Sequence, residues 1–395
     1  MISSSMMLCS ERTICLIDYG DQVLVAKNKT SPHWILPGGI LRQNEDFIQA
    51  VFRSVMEKTE IDLRKEDLAY CGKSKDSKQN QILHVFHATL KERLLHSPQE
   101  TDLKWVAKDK LQIIDTNERG VFSEVIRLCQ DPHIEAPSHP SRVVINLFGT
   151  VGTGKGTQGK KLLEKYRFAS LSLGDLYRTE CREKTPIGNL IGLHHEKFGA
   201  MTFAPNEIAY GLVLKSMANP LCKEGVVLDG FPRTAEQGLV YNKAFLRPTD
   251  THIPIYLSVD EQDIYQRLET RKICSQCELQ VRKEDKIQGN ACPSCQGVLV
   301  RRSEDAAIEK LQQRLQFFKK QIPEVISTIA LRDRVFIIHS DSSATPDDVF
   351  MRIDHLIQSK RSPLQNRYQH RSWLEFSIMM LGVFLIGLNS FRRKN

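Results

Sequence analysis

Apolar residues follow two different patterns along the chain. Over residues 1–130, short apolar runs alternate with polar turns, which favours a mixed unit of strands and helices. Further on, helical stretches separate buried strands that are predicted at 143–148, 225–229, 254–259 and 334–338. Strands that alternate with helices in this way predict an α/β unit built on a parallel sheet.

A polar segment marks the boundary between these units. Residues 131–141 contain prolines and little apolar surface, so they predict a linker. The linker separates a domain predicted at 1–130 from a second domain predicted at 142–358.

The C-terminal end carries an apolar run behind a basic polar linker at 359–371. No charged residue lies between Phe376 and Phe391, and basic residues flank this run. We expect an apolar helix over 372–391 that anchors the chain to a membrane, with the flanking basic side chains reaching the interface. The alternative is a buried helix that packs on the second domain.

The composition fits a globular protein that handles anions. Apolar residues make up 41% and charged residues 26% of the 395 positions, which excludes a globally disordered chain. The 55 lysines and arginines exceed the 47 aspartates and glutamates, which gives a net charge of +8. This modest excess suits phosphate-bearing ligands and indicates no nucleic-acid partner. The ten cysteines in so long a chain do not indicate a small disulfide scaffold, so we expect a reducing, cytoplasmic location.

A glycine-rich segment directly follows the first strand of the second domain. It reads GTVGTGKGT over residues 149–157 and includes Lys155. Glycines let main-chain N–H groups close around phosphate oxygens, and the following helix N-terminus and the lysine add positive charge. A second segment, LDGFPRT, ends the strand at 225–229. There Asp229 is placed to hold Mg²⁺ through water, and Arg233 to bind a second phosphate group.

These motifs occur in the order typical of adenylate kinases. GTVGTGKGTQ, SLGDLYR at 172–178, LDGFPRT and the pair Arg267 and Arg271 make residues 143–358 resemble the long form of that family, which has an inserted lid. The resemblance implies a P-loop nucleoside monophosphate kinase fold, with helices flanking a parallel sheet. It also implies a monomeric kinase unit that catalyses ATP + AMP = 2 ADP with Mg²⁺, or transfer to another nucleoside monophosphate.

The resemblance assigns a role to each matching residue. Those expected at the ATP phosphates and their metal are Gly149, Gly152, Thr153, Gly154, Lys155, Gly156, Thr157, Asp229 and Arg267. Those expected at the acceptor monophosphate are Arg178, Gly230, Arg233, Gln237, which reads the base, and Arg314. The expected catalytic set is Lys155, Arg233, Arg267, Arg271 and Arg314. Phosphoryl transfer depends on positioning and on cancelling phosphate charge, which suits an arginine-rich site without a general base.

The acceptor side departs from the family pattern. Leu173 stands where the family has threonine, and Met201 replaces a glycine in the acceptor-binding segment. The spacing between Arg302, a looser candidate, and Arg314 is longer than usual. The phosphate-binding residues are intact, whereas the acceptor remains open between AMP and another nucleoside monophosphate.

Two CxxC pairs follow the arginine pair in the predicted lid at about 272–302. They are Cys274 with Cys277 and Cys292 with Cys295. This is the spacing of a ribbon in which four thiolates bind one Zn²⁺ tetrahedrally. We expect the zinc to be structural, because four thiolates leave no position open for water. The alternatives are redox-active pairs or packed free thiols.

The N-terminal domain contains a set of glycine, glutamate and arginine residues at defined spacing. Gly39, Glu45, Arg53 and Glu57 match the spacing of the Nudix box, and the domain thereby resembles the Nudix hydrolases. The resemblance implies an α+β Nudix fold over roughly residues 10–130, with a helix at 45–60 that presents carboxylates to Mg²⁺. Ser54, Lys58 and Glu60 stand where the box has Glu, Glu and Gly. Retained hydrolysis, a nucleotide-binding or interaction role, and a purely structural fold therefore remain open.

Three interpretations of the whole chain follow from these patterns. In the first, the protein is a kinase with a degenerate Nudix domain, tethered to a membrane and facing the cytosol, where ATP is available. In the second, it is a non-catalytic, membrane-tethered nucleotide sensor or adaptor. In the third, it is bifunctional, and the Nudix domain releases the monophosphate that the kinase consumes.

Overall fold

The computed structural model describes residues 10–28, 32–76, 80–93, 101–113, 119–129, 142–198, 204–277, 280–281, 289–301 and 308–360. The architecture is mixed α/β, with one large sheet and helices packed on it. The predicted linker at 131–141, Met201, Arg302 and the predicted tail helix at 372–391 lie outside the described residues. Within the described part, no helix is both long enough and apolar enough to cross a membrane.

The N-terminal unit comprises the described residues between 10 and 129. Its elements are β1 (Ser10–Tyr19), β2 (Gln22–Asn28), β3 (Gly38–Ile40), α1 (Phe47–Thr59), β4 (Asp67–Asp76), β5 (Gln81–Thr89), β6 (Thr101–Ala107) and α2 (Arg119–Cys129). Helix α1 begins at a capping box, in which the Asp46 side chain accepts the N–H groups of Ile48 and Gln49, and the Gln49 side chain accepts the N–H of Asp46. Its apolar face packs Val51 and Val55 into the core of this unit.

The C-terminal unit comprises the described residues between 142 and 360. Its first elements are β7 (Val143–Phe148), α3 (Lys155–Tyr166), β8 (Ala169–Ser172), α4 (Leu173–Arg182), α5 (Pro186–Phe198), α6 (Asn206–Met217), β9 (Gly225–Asp229) and α7 (Ala235–Ala244). Then follow β10 (Thr251–Ser258), α8 (Glu261–Thr270), the small lid strands β11 (Lys272–Cys274), β12 (Gln280–Val281) and β13 (Leu299–Val300), α9 (Ile308–Ile329), β14 (Val335–His339) and a last helix, α10, over 346–360.

The main strands of this unit form a parallel sheet in the order β8-β9-β7-β10-β14. The strands predicted at 143–148 and 225–229 have those bounds, whereas the strand predicted at 254–259 already begins at Thr251. Strand β8 was not predicted, because it is short and half of its residues are serines. The carboxyl ends of β7, β9 and β10 meet at one edge, where loops of parallel sheets commonly form binding sites.

The two units share a single sheet, although the sequence pattern predicts two domains separated by a linker. Strand β14 pairs with β4 in antiparallel register, with Val335 opposite Tyr70 and Ile337 opposite Leu68. One hydrophobic cluster also extends across the joint and includes Phe86 on the N-terminal side. Hydrophobic periodicity shows which face of a strand is buried but not which edge strand it pairs with. The pairing of β14 with β4 could therefore not be predicted from the sequence.

Candidate functional site

The glycine-rich loop between β7 and α3 has a backbone that only glycine tolerates. Gly149 has φ +142°, and a Cβ there would lie 2.7 Å from the carbonyl oxygen of Leu257. Gly154 has φ +93° and forms the N-cap of α3, where it offers no side chain to the first amides of the helix. The loop therefore presents main-chain N–H groups at a helix N-terminus, which suits a phosphate group.

Lys155 stands at the first position of α3 and folds over this loop. Its Nζ donates to the carbonyl oxygens of Gly149 at 2.9 Å and of Thr150 at 2.8 Å. Thr153 closes the loop further, because its hydroxyl donates to the Thr150 carbonyl at 3.0 Å. The ammonium group is thus held at the mouth of the loop where the sequence predicted it.

Asp229 ends β9, beside the loop. Burial raises the pKa of its carboxyl group above the usual value, and the negative charge of Asp175 acts in the same direction. The positive charges of Lys155, Arg233 and Arg178 lower the pKa and offset part of this shift. The structure therefore brings the predicted lysine, aspartate and both acceptor arginines within electrostatic reach of one another. Gly156 and Thr157 lie on the first turn of α3, directly after Lys155.

Arg178 and Arg233 converge over Gly174, from α4 and from the loop after β9. A Cβ at Gly174 would lie 3.4 Å from Arg178 Nη1 and 3.5 Å from Arg233 Nη2. Arg233 is fixed by its Nε, which donates to the Gly230 carbonyl at 2.8 Å, and it lies over the ring of Tyr177. Arg178 is ion-paired with Asp175. Two guanidinium groups on one small surface can bind a phosphate from two sides.

Gln237, which is expected to read the acceptor base, is buried on the first turn of α7. Its Oε1 accepts the N–H of Arg233 at 2.8 Å, and its Nε2 donates to Asn206 Oδ1 at 2.8 Å. Leu173, the departure from the family threonine, starts α4 and is packed in the hydrophobic core. The structure accordingly places Leu173 in the core, directly before Gly174, over which the two arginines converge.

A buried polar network beneath the loop that carries Arg233 is not predicted by the sequence analysis. The Asn146 Nδ2 on β7 donates to the Phe231 carbonyl at 3.0 Å, so its Oδ1 faces the interior. That oxygen accepts from the Tyr241 hydroxyl and from His252 Nε2, each at 2.7 Å, and His252 Nδ1 lies 2.7 Å from an Asp333 oxygen. The sequence does contain a signal for this network, because Asn146 interrupts the apolar run VVINLF and His252 lies in the run THIPIYL.

The arginines predicted on the lid side come from α8, from its C-cap and from α9. Arg267 Nη2 donates to Ser340 Oγ at 2.9 Å and to the Asp341 carbonyl at 3.0 Å. Arg271 is the C-cap of α8 and leads into lid strand β11. Arg314 belongs to α9, and its side chain lies outside the described part. Helix α8, which carries Arg267 and ends at Arg271, packs on the glycine-rich loop, since a Cβ on Gly152 would lie 3.2 Å from Leu268.

The four lid cysteines form a compact cluster. Their sulfur atoms all lie within 4.8 Å of one another, with Cys274 and Cys295 3.3 Å apart and Cys277 and Cys292 3.5 Å apart. A tetrahedral zinc site with Zn–S bonds of about 2.3 Å has sulfur atoms about 3.8 Å apart, so the cluster has the right size. It is, within the described part of the chain, the one cluster of metal-ligating residue types.

The backbone around the cysteines also favours thiolates. The N–H of Cys277 and that of Gln276 donate to Cys274 Sγ, and these bonds lower the pKa of the Cys274 thiol to about 6. A Cβ on Gly297 would lie 2.9 Å from Cys274 Sγ, so this position needs glycine. The donor set and its size therefore fit a closed, structural Zn²⁺ site.

The Nudix-box residues form salt bridges with each other. Arg53 donates to Glu45 at 2.7 Å and 2.8 Å and to Glu57 at 3.0 Å, and Arg42 also donates to Glu57, at 2.9 Å. The Arg53 bonds lower the pKa of Glu45. The ammonium of Lys58 donates to the Gly38 carbonyl in the same loop. Both carboxylates face arginines, so these residues do not fit a Mg²⁺ site.

Comparison with known proteins agrees with both motif sets. A family model described as "Adenylate kinase" matches residues 147–333, and one described as "NUDIX domain" matches residues 9–125. An adenylate kinase of Chlamydia abortus is 30% identical over 219 residues, which cover 55% of this chain and 99% of that protein. The adenylate kinase of Chlamydia caviae is 31% identical over 208 residues, covering 52% and 94%. That of Clostridium novyi is 30% identical over 220 residues, covering 54% and 98%. The chain therefore belongs to the adenylate kinase family, as an adenylate kinase-like phosphotransferase that also contains an N-terminal Nudix domain.

Proposed function

We propose that the protein catalyses reversible, MgATP-dependent phosphoryl transfer to a nucleoside monophosphate, with AMP as the first acceptor to test. The observation that carries this proposal is the convergence of Lys155, Asp229, Arg178 and Arg233 at one edge of the parallel sheet. Three cationic side chains around one partly buried carboxyl form a surface for phosphate groups and their metal. The acceptor is named from the family, because the relatives are adenylate kinases.

On the donor side, the glycine-rich loop would bind the ATP phosphates. Its main-chain N–H groups and Lys155 would neutralise the β- and γ-phosphates and hold them in place. Asp229 offers carboxylate oxygens at the strand end, which is the ligand type that Mg²⁺ prefers, directly or through water. Mg²⁺ bound with ATP supplies charge neutralisation at the oxygens of the transferred group.

On the acceptor side, Arg178 and Arg233 would bind the phosphate of the monophosphate. Gln237 would read its base by exchanging its present bond to Asn206 for one to the ligand. Arg267, Arg271 and Arg314 would add positive charge from the lid side. Helix α8 packs on the glycine-rich loop through Leu268, which would bring the charge of Arg267 and Arg271 to the ATP side.

The lid would depend on zinc for its order. Its hydrophobic cluster consists of Cys274, Val281, Cys292 and Leu299, so two of its members are themselves expected ligands. A core this small offers little hydrophobic stabilisation without the metal. We therefore propose a structural Zn²⁺ held by the four lid cysteines.

The deciding experiment uses the full chain, loaded with zinc and folded. ATP is offered with each nucleoside monophosphate in turn, and ADP formation is measured in a coupled assay. We expect ADP with at least one acceptor. The absence of ADP with every acceptor would reject the kinase and favour the nucleotide sensor or adaptor.

The bifunctional alternative needs the Nudix box to hold a metal. Since Glu45 and Glu57 are both paired with arginines, we expect no hydrolysis there. The full chain incubated with nucleoside diphosphate derivatives and Mg²⁺ or Mn²⁺ should release no monophosphate. Release that Glu57→Gln abolishes would overturn this expectation.

The remaining sequence expectations stay predictions. They are the domain bounds 1–130 and 142–358, the monomeric kinase unit, and the cytosol-facing anchor at 372–391. Flotation of the full chain with liposomes tests the anchor, and light scattering of the full chain in detergent tests the oligomeric state.

A further inference from the structure

The N-terminal unit covers an edge of the kinase sheet. Strand β4 pairs with β14 through Leu68, Ala69 and Tyr70. Without this partner, β14 would be an edge strand with unpaired N–H and C=O groups, which is a site of unwanted association. The N-terminal unit thus completes the sheet from which the phosphate-binding loops arise.

An arginine of the C-terminal unit binds both units at one end of this joint. Arg352 lies on α10, and its Nη2 donates to the Glu66 carbonyl of the N-terminal unit at 2.9 Å. Its Nη1 donates to the His339 carbonyl at the end of β14 at 3.1 Å and approaches the Arg64 carbonyl at 3.4 Å. The planar guanidinium group therefore bridges backbone carbonyls of the two units.

The segment next to this bridge holds Arg267. Ser340 directly follows His339, and its N–H donates to the Ser258 carbonyl at 2.9 Å. Arg267 donates to the Ser340 hydroxyl and to the Asp341 carbonyl. The short segment 339–341 is thus fixed by Arg352 at its start and holds the guanidinium of Arg267 further along.

We propose that the N-terminal unit is a brace for the ATP side of the kinase. Through Arg352 it fixes segment 339–341, and this segment orients Arg267. Arg352 is accordingly a positioning residue. The proposal rests on the proposed function in one respect, the assignment of Arg267 to the ATP side. It gives the Nudix fold a role that needs neither metal nor hydrolysis.

The test compares Arg352→Leu, Arg352→Lys and the unchanged full chain. ATP and the acceptor are varied separately in steady-state kinetics. We expect Arg352→Leu to raise KM for ATP about 3- to 30-fold, the usual range for residues that couple two parts of a protein, and to leave KM for the acceptor unchanged. Arg352→Lys keeps a cationic donor and should recover part of the loss.

Arg332 provides a matched control. Its guanidinium also bridges two backbone carbonyls, those of Asn242 and Arg247, each at 3.1 Å, but both belong to the C-terminal unit. Arg332→Leu should lower the thermal midpoint and leave KM for ATP unchanged. If Arg332→Leu raises KM for ATP as much as Arg352→Leu does, or if Arg352→Leu moves both KM values equally, the brace is refuted.

Equilibrium titration with ATP alone separates this proposal from the proposed function. It needs no turnover, so it reports on the brace even in an inactive chain. A weaker ATP affinity in Arg352→Leu, restored in part by Arg352→Lys, supports the brace. Equal ATP affinities in all three proteins overturn it, whereas absent ADP formation by the unchanged chain rejects only the kinase assignment.

Discussion

The buried network around Asn146 allows a graded test of how the acceptor loop is held. Asn146→Leu replaces the amide by an apolar side chain of similar size, so packing is largely kept. The substitution leaves three buried polar groups without their partner: the Phe231 carbonyl, the Tyr241 hydroxyl and His252 Nε2. Tyr241→Phe is the matched control, because it removes one hydroxyl and lets Asn146 keep its other two bonds.

The expected costs follow from the number of groups left unpaired. An unsatisfied buried polar group costs about 1–3 kcal/mol, and neighbouring effects are not additive, so Asn146→Leu should lower the free energy of unfolding by about 3–5 kcal/mol. Tyr241→Phe should cost only about 0.5–1.5 kcal/mol. Because Asn146 also holds the loop that carries Arg233, KM for the acceptor should rise about 2- to 10-fold in Asn146→Leu, the equivalent of one lost hydrogen bond.

Urea unfolding of the full chain, followed by circular dichroism, measures the stability terms, and steady-state kinetics measure the two KM values. We expect the KM for ATP to stay constant in both variants. Equal losses of stability in Asn146→Leu and Tyr241→Phe would show that the other two hydrogen bonds of Asn146 do not stabilise the fold, which would refute the reasoning. An unchanged acceptor KM in Asn146→Leu would show that the network supports the core without positioning the loop.

Lys155→Ala should reduce kcat at least about a hundredfold and change the free energy of unfolding by about 1 kcal/mol or less, because water can replace its bonds to loop carbonyls; a normal rate in the coupled assay would contradict the phosphate role. Cys274→Ser should lose zinc and activity together, and elemental analysis that finds unchanged zinc would exclude the ribbon. Burial raises the pKa of Asp18, but hydrogen bonds from His87 and Lys108 outweigh it and hold that pKa at about 2, below its usual value of 3.8. The stabilisation of about 2 kcal/mol is therefore present above the unfolded-state pKa and is lost as pH falls through about 2. In urea titrations Asp18→Asn should thus be less stable than the unchanged chain at pH 7, and the difference should disappear as the pH falls below about 2.

Local features of the site could be predicted from the sequence because their causes are local. The loop at 149–154 needs glycines for positive φ and close approach, and these glycines are visible as letters. Lys155, at the start of α3, follows from the loop, and the paired CxxC spacing brings the four cysteines into one cluster. In each case a few neighbouring residues carry the whole signal.

Contacts between distant segments could not be predicted in this way. The bridge from Arg352 to Glu66 and the bond from His252 to Asn146 join residues far apart in the sequence. Which strands become neighbours decides whether such groups meet, and periodicity is silent on that choice. The burial of Leu173 in the core depends on distant segments in the same way, and its effect on the acceptor stays a prediction.

The packing of α1 links the altered Nudix box to the sheet that the two units share. Ser54 is 1% exposed, its hydroxyl lies 3.3 Å from that of Thr13, and a Cβ on Gly39 would lie 2.8 Å from the Ser54 Cβ. The glutamate of an intact box would bring a charge into this packed position, which is costly unless a metal or a cation pairs with it. Ser54 instead pairs with Thr13, and Arg53 forms salt bridges with Glu45 and Glu57, so these side chains have partners without a ligand. A helix α1 that is held by these contacts suits a unit whose sheet must stay in register with β14, since any slip there would move the segment that holds Arg267.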